Sequence, residues 1–287
     1  MRLAKKIFQK LRDPAFYRKY SRGLLRAFRS FDGIPALCDF DQLPALASTV
    51  VVIAHPDDEI FCSGFIYELK QRGGRVKVLC VTRGEGGPCG DHTRDALGEV
   101  RTREMQRSCD VMGVDELIFL GHVDPLGKGL IAFAPDVSAG DLAAQIRSHI
   151  EGVDLVISHG SSGEYWHPAH LLVYRAVKLA VDLPEKKSPL WMTFLARQVG
   201  HPLPKIINWD DAPFLHIDNT KHQEARRRSL ECHQSQLDLF GQFAGGDYLD
   251  FIRLTSREAY SLQNRGNLQV AEAADKSKGQ GNHRTDT

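Results

Sequence analysis

Short unbroken apolar runs alternate along the chain with longer stretches in which apolar residues return every three or four positions. The runs near 50–54, 76–82, 116–120, 153–157, 190–196 and 213–217 read as strands covered on both faces. Helical spacing predicts helices near 59–72, 95–112, 139–151, 168–182 and 220–240. Such alternation predicts an α/β fold, a Rossmann-like, mainly parallel sheet flanked by helices on both faces.

Two of the predicted strands end abruptly in chemistry. The run from Val50 to Ala54 stops at His55-Pro56-Asp57-Asp58-Glu59, and the run from Val153 to Ile157 leads into His159-Gly160-Ser161-Ser162-Gly163-Glu164-Tyr165-Trp166-His167-Pro168-Ala169-His170. Open α/β sheets place their chemistry beyond the carboxyl ends of the strands, so both clusters lie where a site is expected. A helix cap accounts for one carboxylate, but not for three beside a His and a Pro. Pro168 suits a first helical turn, which puts His167 and His170 three residues apart and able to face one point. Histidine and carboxylate from two such loops match a three-ligand catalytic zinc site with an open position. Glu59 reads as a helix-start charge favoured by the dipole.

At these residues the chain resembles the LmbE-like zinc deacetylases, the family of N-acetylglucosaminyl-phosphatidylinositol de-N-acetylase and of the deacetylases of mycothiol and bacillithiol synthesis. Ala54-His55-Pro56-Asp57-Asp58-Glu59 matches the first family motif, and Tyr165-Trp166-His167-Pro168-Ala169-His170 the second. Weaker echoes are Thr82-Arg83-Gly84-Glu85-Gly86-Gly87, Arg101 with Glu104, and His233-Gln234-Ser235-Gln236. The resemblance spans roughly Thr49 to Gln236. It implies His55, Asp58 and His170 as zinc ligands and Asp57 as the general base toward water. His167 would stabilise the oxyanion and Tyr165 would help polarise the amide carbonyl. Arg101 is the expected anchor for a sugar hydroxyl or an anionic aglycone, with a solvated helix charge as its alternative. Glu85 is a candidate substrate contact on a loop that lacks the Gly-Lys-Ser/Thr ending of a phosphate loop. Two positions depart from the pattern. Ala169 stands where the family commonly has Asp, so a carboxylate able to orient a neighbouring His is missing. Trp166 replaces a small residue and can either stack on a sugar face or pack against its own loop.

Composition adds little to this until it is divided along the chain. With 287 residues, 42% hydrophobic and 25% charged, the sequence suits one soluble enzyme domain. The six cysteines show no paired metal spacing, as in a reduced cytoplasmic protein. No stretch is long and apolar enough to span a bilayer, and no signal-peptide core is seen. Residues 1 to 31, however, hold ten Lys or Arg against Asp13, so this segment carries +9 of a net +1 and the remainder −8. Interleaved aromatic and aliphatic residues make it a basic amphipathic segment. It could lie on an anionic membrane at the cytoplasmic face, or form an arm packed on the catalytic domain or on a second subunit of a homo-oligomer. No nucleic-acid module accompanies it. The expected organisation is a basic extension over 1–40, a catalytic domain over 41–263 and a polar, disordered tail over 264–287.

The function expected is zinc-dependent removal of an acetyl group from an N-acetylated amino sugar or its conjugate, a small-molecule substrate. Two alternatives remain open. Two His and one carboxylate also describe a non-heme iron(II) site, with Fe2+ in place of Zn2+. A catalytically silent carbohydrate-binding protein of the same fold is the other, although such a module needs no general base.

Overall fold

The computed structural model describes residues 40–89, 91–127, 132–182, 188–195 and 214–264. The basic N-terminal segment and the polar tail thus lie outside the described residues, apart from one residue of each at its inner end.

Seven strands form one sheet: β1 (Ser48–Ile53), β2 (Arg75–Thr82), β3 (Glu116–His122), β4 (Leu155–Ser158), β5 (Leu190–Leu195), β6 (Leu215–Asp218) and β7 (Arg257–Asn264). Their order is β3-β2-β1-β4-β5-β7-β6. The first five strands are mutually parallel, while β7 runs antiparallel between β5 and β6. The order 3-2-1-4-5 is that of doubly wound sheets, whose topological switch point here falls between β1 and β4. Both motif-bearing loops leave the carboxyl ends of those two strands.

The pleat of β1 explains why its run is wholly apolar. Val51 and Ile53 face a cluster containing Phe65 and Leu69 of α1 (Ser63–Gln71) and Met105 and Cys109 of α2 (Arg94–Met112). Val50 and Val52 face the other side, against Leu142 and Ile146 of α3 (Ala139–Ile150) and Val173 and Val177 of α4 (Pro168–Val181). Helices therefore cover both faces, as the alternation predicts.

The C-terminal part differs from expectation. The predicted helix over 220–240 is divided into α5 (Gln223–Leu230) and α6 (Leu237–Ala244), because the chain turns at His233 to carry that imidazole inward. Beyond it come α7 (Tyr248–Leu254), opened by an Asp247/Asp250 capping box, and β7, neither of which apolar periodicity signals. Among the described residues no helix is long and apolar enough to cross a membrane.

Candidate active site

The residues after β1 leave the strand through a strained turn. Asp57 has φ 96°, a left-handed conformation that costs a non-glycine residue about 1–3 kcal/mol. Glu59, fully buried, holds the turn: its Oε2 accepts from Asp57 N at 2.9 Å, and its Oε1 meets Ser108 Oγ at 2.7 Å and His233 Nε2 at 2.5 Å. Glu59 is thus a bracket behind the site, and His233 bends the C-terminal helix to reach it. Asp58 turns back, accepting from His55 N at 2.8 Å. The two neighbouring aspartates therefore present their carboxylates to different partners.

The loop after β4 is also strained, at Glu164 (φ 56°) and Trp166 (φ 62°). Pro168 opens α4 at its first turn, as the sequence predicts. This loop brings His167 and His170 to the β1 motif. The rings of His55 and His167 lie 4.8 Å apart, and those of His55 and His170 5.3 Å. Asp58 Oδ2 is 3.4 Å from His55 Nδ1, and Asp58 Oδ1 is 3.4 Å from His170 Nε2.

Several observations fit a cation at this cluster. His55 Nε2 and His170 Nε2 are buried without a hydrogen-bond partner. Ring nitrogens of His55, His167 and His170 lie within 4.8 Å of one another, as do ligand atoms of Asp58, His159 and His170. Burial disfavours a charged His55, yet the Asp124 and Asp58 carboxylates hold its pKa up to about 10, so the surroundings attract positive charge. His170 Nδ1 donates to Glu164 Oε2 at 2.5 Å, which leaves Nε2 with its lone pair toward the cluster.

Asp57 sits beside these groups, 8% exposed. Burial raises its carboxyl to about 7, with the Arg101 guanidinium pulling the other way. Arg101 is not a solvated helix charge. It is 3% exposed, and its Nη2 donates to Asp57 Oδ2 at 2.9 Å and to Pro56 O at 2.5 Å, while Nη1 donates to Gly84 O at 2.9 Å. Gly84, with φ +69°, leaves the space this guanidinium fills. His167 is kept neutral, its pKa pressed down to about 2 by burial and by the adjoining His170 and His55 rings. Its Nδ1 has no hydrogen-bond partner, and Ala169 packs into the apolar cluster with Val50 and Val52. The Tyr165 phenol is held neutral by burial and by the nearby Asp58 and Asp57 charges.

These groups line one wall of a cleft of about 540 Å³ that also includes Phe61, Asp124, Phe133, Gln236, Leu239 and Phe243. Two expected contacts are placed elsewhere. Glu85 stands behind the wall, its Oε2 accepting from Asp124 N at 3.1 Å, and Trp166 is 38% exposed outside the cleft lining. Three residues gain importance beyond the sequence reading. Asp124 Oδ1 lies 3.4 Å from His55 Nε2; a lone Asp just past an apolar run was its only signal. Glu164 Oε2 accepts from both His159 Nδ1, at 2.8 Å, and His170 Nδ1, and its Oε1 accepts from Gly160 N at 3.1 Å. Burial opposes its ionisation, but the two imidazoles hold its carboxyl well below the usual range. His159, fully buried, accepts from Ala54 N at 3.0 Å and so ties β4 to β1.

Fold and site define an α/β protein with a His–Asp cluster suited to a metal ion at the switch point of a mainly parallel sheet. Residues 50–181 match the PIG-L family, described as GlcNAc-PI de-N-acetylase. The chain belongs to this family. It is 32% identical over 195 residues to a probable N-acetyl-α-D-glucosaminyl L-malate deacetylase 2 of Bacillus anthracis, covering 65% of this chain and 80% of that protein. To a 1D-myo-inositol 2-acetamido-2-deoxy-α-D-glucopyranoside deacetylase of Actinosynnema mirum it is 26% identical over 242 residues, 71% of this chain and 86% of the other. The fold is shared with the N,N'-diacetylchitobiose deacetylase of Pyrococcus horikoshii at a TM-score of 0.57 and 16% identity, over 76% of this chain and 84% of that one.

Proposed function

We propose that the protein is a zinc-dependent amide hydrolase that removes the acetyl group from an N-acetylglucosamine conjugate, releasing acetate and a free amine. The observation that carries this reading is the convergence of His55 and His170 on the Asp58 carboxylate, each with one ring nitrogen 3.4 Å from it and each with a buried Nε2 that makes no hydrogen bond, beside Asp57 in the lining of the cleft. His55, Asp58 and His170 would hold the zinc, which supplies Lewis acidity to the amide carbonyl and acidifies water. Asp57 takes the proton from the attacking water and returns it to the amine nitrogen as the C–N bond breaks. Neutral His167 and Tyr165 donate hydrogen bonds to the oxygen on which charge develops. Arg101 positions Asp57. Names of relatives support the substrate class, since two are deacetylases of glucosamine conjugates.

Metal analysis after equilibrium dialysis tests the metal centre. One zinc per chain is expected, lost in His55→Ala and His170→Ala. Iron retained in preference to zinc under anaerobic conditions would favour the facial-triad chemistry instead.

Glu164 orients His170 and His159 with one carboxylate, so Glu164→Gln should weaken zinc binding by about 10- to 100-fold with little loss of fold. Competition with a chromophoric chelator measures this. Unchanged affinity would leave Glu164 a loop-bracing residue only.

A further inference from the structure

The cleft divides by chemistry. Its charged side chains, Asp57, Asp58, Asp124 and Arg101, gather around His55, whereas Phe61, Tyr165, Phe133, Leu239 and Phe243 supply apolar surface. Two elements carry most of that surface: α6, and the chain after β3, where Pro125, Ala132 and Phe133 line the cleft.

The apolar character continues outside. Among the described residues the large exposed hydrophobics are Val123 at 68%, Leu126 at 55%, Phe133 at 41%, Trp166 at 38%, Leu179 and Leu249. The first three follow β3, and Trp166 stands between the cleft residues Tyr165 and His167. Of these, Phe133 lines the cleft itself, and with Phe61, Leu239 and Phe243 it gives the cleft an apolar side. Bare sugar would leave most of it uncovered.

We infer that the substrate carries an apolar group, an alkyl or aryl aglycone, beside the acetylated sugar, and that Phe133 and Leu239 receive it. This deepens the deacetylase reading and rests on it.

The test uses zinc-loaded full-length protein with the methyl, hexyl and malate glycosides of N-acetylglucosamine. Acetate release and calorimetric binding are read for each, below any micelle concentration. Partial burial of the added methylenes should raise kcat/KM for the hexyl glycoside about 30-fold over the methyl one, with the malate glycoside no better than methyl. Phe133→Ser, on an exposed loop, and Leu239→Ser should each cut the hexyl advantage to below about 5-fold. Equal turnover of all three, or fastest turnover of the malate glycoside, overturns the apolar subsite and leaves the deacetylase reading standing. Tighter hexyl binding without any acetate supports the subsite and overturns the deacetylase reading. Neither acetate nor a binding difference overturns both.

Discussion

Asp57→Asn is expected to lower acetate release by about 10²- to 10⁴-fold while zinc stays bound near one equivalent. The substitution keeps the shape of the side chain and tolerates the positive φ of 96° that this position demands. Its amide can still meet Arg101, whose bonds to Pro56 O and Gly84 O are to backbone and survive. What disappears is the group that can both accept and return a proton. Parallel assays of acetate and of metal content separate the roles: loss of activity with zinc retained makes Asp57 the base, and loss of both makes it a ligand.

Glu258→Ala should destabilise the fold by about 3–5 kcal/mol in urea unfolding, the usual consequence of removing one partner of a buried charge pair. Glu258 lies on β7, and its carboxylate accepts from Gly64 N at 2.6 Å, Phe65 N at 2.9 Å and the Tyr260 hydroxyl at 2.7 Å. Arg226, with no exposed surface, has its Nε 3.7 Å away. Gly64 permits the approach, for a Cβ there would lie 2.9 Å from Glu258 Oε1. The carboxylate thus completes the first turn of α1, the helix that continues directly from the Asp58–Cys62 turn. A loss well under 1 kcal/mol would mean that Ser63 and Thr255, which also bond Arg226, satisfy it without the carboxylate.

What could be read before the fold was known follows from the physics of each element. β1 was legible because a strand buried on both faces must be apolar at every position, and its end was legible because charge stops it. The gathering of His55, Asp57, Asp58, His167 and His170 followed from two such endings at one switch point. β7 was not legible: its paired, half-polar positions, Glu258 among them, give no unbroken run, and its partners lie far away in sequence. The division of the last predicted helix was hidden for a similar reason. His233 leaves helical geometry for a bond to Glu59, 174 residues earlier, and local periodicity carries no trace of that. Glu164 lies in the loop after β4, but only the strained loop shows its carboxylate reaching two imidazoles at once. The resemblance puts Arg101 near the site, whereas its bond to Asp57 spans 44 residues of sequence and leaves no local pattern.

The most direct measurement is the release of acetate and free amine, counted together, from N-acetylglucosamine glycosides by zinc-loaded protein before and after chelation. Equal amounts of both products are expected, abolished by the chelator and restored by zinc. Zinc bound at one equivalent with no amine freed from any glycoside would contradict the deacetylase reading.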